Sequence, residues 1–327
     1  MRRLPLLFAR MLRYRVAAMI WMFMLLGAAA HGGLERLNPG YVWAVLALAC
    51  AYVAATTAND VADRDVDRIN HPRDRGRPLV SGEAEERDLA MLHVVTAAGA
   101  LGCGAALGVG GLGLAVVSLA IGWIYSLPPL RLSYRTYLAP VVLGAAYVLV
   151  PYGFGLVLAS ATPGARDVLF AGGLYALFIA RITLKDFRDR AGDAAYGKPT
   201  LLLRFGKGAT CAVSLAALVA GTGVVLAYIR PPLGFALVLS TFAVAIGSRL
   251  YALWRAQTAR EEQLAIGIGA RMGNGLLLSA LAWLVLTAHG VRSDERTAFA
   301  VALAAPFALT FLLLTARPEE AVIGYKV

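Results

Sequence analysis

The chain has 327 residues, 59% of them hydrophobic and only 16% charged, with a net charge of +11 and a mean hydropathy of +0.67. That is too apolar for a soluble domain of this size, and repeated apolar runs of about 20 residues argue for an all-α polytopic membrane protein, not a barrel, a single-span or a peripheral protein. The basic excess does not point to nucleic acid, because the arginines lie mainly at the ends of apolar segments, where the positive-inside rule accounts for them.

The opening MRRLPLLFARMLRYR carries five arginines ahead of the first long run, Val16–Ala30. With no convincing small-residue cleavage site, it reads as a cytoplasmic N-terminal segment, 1–15, leading into an uncleaved helix. Helices are expected near 16–32, 41–62, 87–108, 110–126, 137–160, 167–188, 208–229, 233–255, 268–289 and 297–315. The last is interrupted by Pro306, so it either spans with a kink or lies partly in the interface. The whole of 1–327 reads as one integral-membrane domain. Cys50, Cys103 and Cys211 each sit in an apolar run with no paired spacing, which suits packing residues. The 34 glycines suit close helix packing in lipid. The glycines of GVGGLGLA at 108–115 lack a strand–turn–helix context and are no nucleotide loop.

With the N-terminus inside, the inner loops are 63–86, 127–136, 189–207 and 256–267. Loop 63–86 alone holds Arg64, Arg68, Arg73, Arg75 and Arg77. The outer joins hold only Arg36, Arg166, Arg230, Arg292 and Arg296. This asymmetry puts every polar cluster on the cytoplasmic side of the cell membrane.

The first cluster comes directly after the second apolar run and reads NDVADRDVDRINHPRDRGRPLVSG, Asn59–Gly82. On a helix Asp60, Asp63 and Asp67 fall at i, i+3 and i+7, on one face, with Asn59 at its edge. Three facing carboxylates need a compensating cation. Oxygen-only ligands suit Mg2+, whose remaining positions go to substrate phosphates, with neighbouring arginines as donors. Alone, the stretch also reads as a solvated loop capping a helix. The pattern, however, occurs twice. In Lys185–Gly206, KDFRDRAGDAAYGKPTLLLRFG, the residues Asp186, Asp189 and Asp193 repeat the spacing. Aspartate at bilayer depth costs roughly 2.5–3.5 kcal/mol on insertion scales, so two clusters point to function. Two carboxylate faces with a diphosphate between them would hold Mg2+ and help an allylic diphosphate ionise.

The paired motifs resemble those of the UbiA superfamily of intramembrane prenyltransferases. Asn59, Asp60, Asp63 and Asp67 match its NDxxDxxxD pattern, and RPLVSG, Arg77–Gly82, matches the block commonly found just downstream of that pattern in the family. Lys185, Asp186, Asp189, Gly192 and Asp193 resemble the KDxxDxxGD version found in members making homogentisate-derived quinones, chlorophyll and archaeal ether lipids. Between them YSLPPLRLS, Tyr125–Ser133, resembles YSxPPxRLK, with Arg131 kept and Ser133 in place of the usual lysine. The Arg-Pro usual before helix 1 is not evident, and a tenth helix exceeds the usual nine. The resemblance implies nine core helices around a central cavity under a cap of cytoplasmic loops. It also implies Mg2+-dependent transfer of a prenyl group from a polyprenyl diphosphate, geranylgeranyl or similar, to a lipophilic or aromatic acceptor. The six aspartates would surround the metals, supported by Asn59.

Other residues carry open readings. Arg73 and Arg77 would clamp the diphosphate, or serve only as positive-inside charge. Lys185 would bind phosphate or pair with an aspartate. Arg181, a charge inside a helix, should face the cavity and either contact the diphosphate or balance the acids. Tyr125 and Tyr147 would line the cavity and face a carbocation, or belong to an aromatic belt. Asp65 falls off the acidic face, as a solvated or arginine-paired residue. Lys198 and Arg204 read as basic loop ends, and His93 as a packed or hydrogen-bonded helix residue. The leading function is transfer to an aromatic or quinone-precursor acceptor. Transfer to a glycerol-phosphate alcohol and membrane terpene cyclisation use the same metal site. A phosphoribosyl transferase fits KDFRDRAGD poorly, and an ion transporter leaves the RPLVSG and YSLPPLRL blocks unexplained.

Overall fold

The computed structural model describes residues 4–35, 38–72, 74 and 76–318. Two short helices, α1 (Leu4–Met11) and α2 (Tyr14–Ala29), are bent by 68° at a break around Arg13. Then come α3 (Gly40–Ala62), α4 (Arg64–Asn70), α5 (Pro78–Ser81), α6 (Glu86–Ala105) and α7 (Gly108–Ser126). A run from α8 (Leu138–Gly144) through one π turn into α9 (Val150–Leu158) makes the next crossing. It is followed by α10 (Ala165–Ile182), α11 (Asp186–Ala195), α12 (Leu201–Ile229), α13 (Leu233–Arg255), α14 (Ala259–Ala288) and α15 (Ser293–Ala316). Among the described residues nine helices are long and apolar enough to cross a membrane, or ten if α1 and α2 count as one bent span. All ten expected segments have a counterpart.

Three expectations about loops are corrected. The loop expected at 256–267 is mostly helix, because Thr258 caps α14 through its hydroxyl to the Glu261 amide and Glu261 reaches back to the Thr258 amide. The loop expected at 189–207 is mostly helical: α11 runs on to Ala195, and α12 opens at Leu201 and turns at Gly206, whose φ of +80° an L residue rarely adopts. The first acidic stretch is not one helix: the chain breaks at Asp63, between α3 and α4.

Glycines set the tightest helix contacts, as expected where lipid gives no hydrophobic drive between helices. A Cβ on Gly27 of α2 would stand 2.5 Å from the Tyr152 carbonyl of α9. One on Gly221 of α12 would stand 2.8 Å from the Gly173 carbonyl of α10. The core between these helices is aromatic, with Phe23, Phe154 and Phe170 fully buried, and Phe235 of α13 is fully buried as well. In α15 only 6% of the apolar stretch is buried, and Pro306 does not interrupt its helix.

Candidate active site at the acidic ends of α3 and α11

Asp60, at 2% exposure, ends its carboxylate on two arginines: Arg13 Nη2 donates at 2.9 Å and Arg77 Nη1 at 3.4 Å. Arg77 also pairs with Asp67. Asp63, at the break, accepts from Asn59 Nδ2 at 3.2 Å, Arg131 Nη2 at 3.3 Å and Lys198 Nζ at 3.3 Å. Arg13 and Arg131 both hold left-handed backbone, at φ of +44° and +39°. That conformation costs roughly 1–2 kcal/mol for an L residue, and both guanidinium groups reach first-motif carboxylates. Asp65 lies outside the group, paired with Arg64 and Arg68.

The second motif begins where α10 passes through a single 3-10 turn, Thr183–Lys185, into α11. Asp186 and Asp193 are buried. Asp189 accepts from His71 Nε2 at 3.0 Å and Arg188 Nε at 3.1 Å. Lys185 donates to the Tyr125 hydroxyl at 3.0 Å.

Three contacts bring the two motifs together. Lys198 stands 3.3 Å from Asp63 and 3.6 Å from Asp193. His71, at the end of α4, holds Asp189. Asn70 Oδ1 accepts from the Gly192 amide at 2.6 Å. Gly192 permits that approach, since a Cβ there would stand 2.5 Å from the Val66 carbonyl. Burial opposes the Lys198 ammonium, but Asp63, and then Asp193 against the repulsion of Lys185, outweigh it, and its pKa lies above the ordinary lysine value.

Beside these contacts a cavity of about 360 Å³ runs into the bundle. Seven cationic side chains line it, Arg13, Arg77, Arg181, Lys185, Arg188, Lys198 and Arg249, against two carboxylates, Asp63 and Asp189. Asn59, Tyr125 and Tyr147 line it too, and its inner wall is apolar, with Phe23, Phe178, Leu276 and Leu277. Asp60 and Asp67 are held behind this lining by Arg13 and Arg77. Asp186 and Asp193 line a smaller neighbouring cavity with Ser133, whose buried Oγ has no hydrogen-bond partner among the described residues. Arg181 donates to Asn274 of α14 at 2.8 Å. Arg73 lies outside the described residues.

Arg13, Asn70, His71 and Arg188 join the site without having been expected from the sequence, and Lys198 is a bridge between the motifs, not a basic loop end. Only Lys198 and Arg188 carried a local signal, as cations beside an acidic motif; Arg13 looked like one more positive-inside charge. His93 is satisfied on both sides. Trp123 Nε1 donates to its Nε2 at 3.0 Å, so Nδ1 carries the proton and donates to the Ala54 carbonyl at 2.9 Å.

Among the described residues no three His, Cys, Asp or Glu side chains form a group close enough to hold a metal ion. The donor set is nevertheless chemically apt: buried hard carboxylate oxygens gathered from two motifs, with Lys198 carrying positive charge between Asp63 and Asp193.

The UbiA prenyltransferase family model matches residues 18–274, and the chain belongs to this family. Chlorophyll synthase from Oryza sativa subsp. japonica is 33% identical over 196 residues, covering 56% of this chain and 50% of that one. Digeranylgeranylglyceryl phosphate synthase from Methanopyrus kandleri is 32% identical over 187 residues, covering 55% and 63%. The matched part is thus about half the length of the plant relative and under two thirds of the archaeal one. Among solved structures, a UbiA homologue from Archaeoglobus fulgidus bound to GPP and Mg2+ shares the fold, with a TM-score of 0.57 at 18% identity, covering 91% of this chain and 99% of that one.

Proposed function

We propose that this protein transfers a prenyl group from a polyprenyl diphosphate to a lipophilic acceptor in the membrane and releases pyrophosphate. The observation that carries the reading is the cavity lining: seven cations to two carboxylates, continuous with an apolar, aromatic wall. A diphosphate with a long hydrocarbon tail is the ligand with that polarity. Family membership and the relatives' activities support it.

Arg77 and Lys185, with Arg13 and Lys198, hold the diphosphate by charge-assisted hydrogen bonds. Asn59, Arg131, His71 and Arg188 fix the carboxylates. Asp60, Asp63, Asp67, Asp186, Asp189 and Asp193 are the residues that would hold Mg2+, which, when bound, adds positive charge to the departing pyrophosphate. The prenyl C1–O bond breaks and its electron pair leaves with pyrophosphate. A bond forms from the acceptor to C1, and the acceptor's proton passes to water. The faces of Tyr125 and Tyr147 stabilise the cationic carbon, and the apolar wall keeps water from it. Arg73 and Arg181 remain candidates for the diphosphate.

The acceptor is an aromatic or quinone precursor. A glycerol-phosphate alcohol is the second reading, favoured by the likeness to the archaeal synthase. The basic asymmetry supports a cytoplasmic active site with the N-terminus inside, and the chain works as one membrane domain.

The deciding assay supplies purified protein with Mg2+ and geranylgeranyl diphosphate, with and without candidate acceptors, and follows pyrophosphate and lipid products. Pyrophosphate release that depends on Mg2+ and acceptor is expected. Cyclic hydrocarbon without acceptor would establish a cyclase, and no release across prenyl chain lengths would sink the class. Asp63→Ala and Asp189→Ala should each abolish turnover; near-normal rates in a folded variant remove that residue from the mechanism.

A further inference from the structure

Away from the cavities, α14 carries a buried carboxylate that the reaction does not use. Glu262, in the first turn of α14, is 8% exposed and lines neither the main cavity nor the smaller one. Two cations converge on it. Arg190 of α11 donates through Nη2 to its two oxygens at 3.2 and 3.1 Å, and Lys207 of α12 stands 3.0 Å from Oε1. A buried carboxylate is costly unless it is paired in this way, so the arrangement fixes all three side chains.

The two cations are the ends of one stretch of chain. Arg190 directly follows Asp189, and Lys207 directly follows the turn at Gly206. Between them lie Asp193 and Lys198, and Lys198 contacts Asp63 as well as Asp193. The stretch passes through two glycines at positive φ, Gly197 at +63° and Gly206 at +80°. Glycine leaves many backbone conformations open there, so contacts outside the backbone must fix where the stretch lies. Its middle is held by Thr136 Oγ1, which donates to the Pro199 carbonyl at 2.5 Å. Lys207 has a second anchor, the Ala256 carbonyl at 2.6 Å. Arg190 has no polar partner besides Glu262 among the described residues, and its guanidinium lies over the Phe187 ring at 5.5 Å.

We infer that Glu262 is a positioning residue: from α14 it clamps both ends of residues 190–207 and so holds Lys198 in its contact with both acidic motifs. The diphosphate-binding role of Lys198 rests on the prenyl-transfer reading; the clamp itself does not. Glu262 touches no substrate. Without its charge the stretch samples arrangements in which Lys198 has left Asp63 and Asp193, and only the remaining fraction of molecules is ready to bind the diphosphate. The apparent affinity falls by that fraction. A bound diphosphate holds the stretch in place again, so the chemical step itself changes little.

The test compares wild type with variants of the full chain in detergent with Mg2+. Pyrophosphate release, with the acceptor that supports it in wild type, gives kcat and KM for geranylgeranyl diphosphate. Calorimetry gives Kd for the unreactive geranylgeranyl thiolodiphosphate. Glu262→Gln should raise KM and Kd about tenfold and change kcat by less than about threefold. Loss of folded protein would instead lower the apparent kcat and leave KM and Kd unchanged. Glu262→Asp should recover part of the affinity. Arg190→Gln and Lys207→Gln each release one end and should raise Kd about threefold, and neither should add more than about twofold to Glu262→Gln.

If Glu262→Gln does not fold, Arg190→Gln and Lys207→Gln carry the same test. KM and Kd within about twofold of wild type, or a loss confined to kcat, overturn the inference. If wild type neither releases pyrophosphate nor binds the thiolodiphosphate, the prenyl-transfer reading falls instead, and amide hydrogen exchange decides the clamp. Glu262→Gln should then speed exchange over residues 191–205 about tenfold and leave residues 210–229 of α12 unchanged. Unchanged exchange over 191–205 overturns the clamp.

Discussion

Lys198 shows how one side chain can join two motifs. Its ammonium touches Asp63 and Asp193 and is largely screened from water, with 11% of the side chain exposed. Removing it leaves two buried carboxylates under-compensated, which for a buried pair costs about 3–5 kcal/mol. Lys198→Met should therefore lower the thermal midpoint by several degrees and reduce turnover; an unchanged melt would show that the contact contributes nothing. The pH dependence comes from the raised pKa of Lys198. A lysine raised by its partners contributes fully below its unfolded value, and the contribution is lost as pH climbs through the folded one. The stability gap between wild type and Lys198→Met should stay constant from about pH 6 to about pH 9 and shrink only in the alkaline range above. A gap that closes near neutrality would contradict this assignment.

At the scale of elements, the site depends on how closely α4 and α11 pack. Gly192 is the contact point, with the Val66 carbonyl and the Asn70 side chain where a Cβ would go. Gly192→Ala should push the two helices apart, destabilise by about 1–3 kcal/mol as overpacking does, and reduce turnover at least tenfold by separating His71 from Asp189. Near-wild-type activity would mean the brace is dispensable. The second acidic motif lies on one helix, α11, as its spacing predicts, but Asp189 lines the main cavity while Asp186 and Asp193 line the smaller one. The spacing argument failed in form for the first, because the chain breaks at Asp63 and only the added turn of α4 brings Asp67 to Arg77. Asp167 marks the limit of reading function from a carboxylate in an apolar segment. It is buried near the start of α10, yet its oxygens are taken by the Gly164 amide, the Tyr152 hydroxyl and His31, which tie α2, α9 and α10 together.

Across the whole molecule, glycine placement governs how tightly the bundle closes around the cavity. Gly155 of α9 faces the backbone of α2 at Met24 and Ala28, whereas Gly172 of α10 and Gly223 of α12 have open space where a Cβ would go. Gly155→Ala should destabilise by about 1–3 kcal/mol. Gly172→Ala and Gly223→Ala should stabilise by about 0.5–1 kcal/mol through helix propensity. Thermal melts of the three variants in one detergent check this, and equal shifts would refute it. The sequence by itself determined the class, the ten apolar segments and the two aspartate motifs, because hydropathy and i, i+3, i+7 spacing are properties of local chain. It could not reveal that Arg13, His71 and Lys198 meet those aspartates, that Asp63 sits at a break, or that Arg190 and Lys207 meet on Glu262. Those contacts join residues up to 135 positions apart, and only helix packing decides which distant side chains meet.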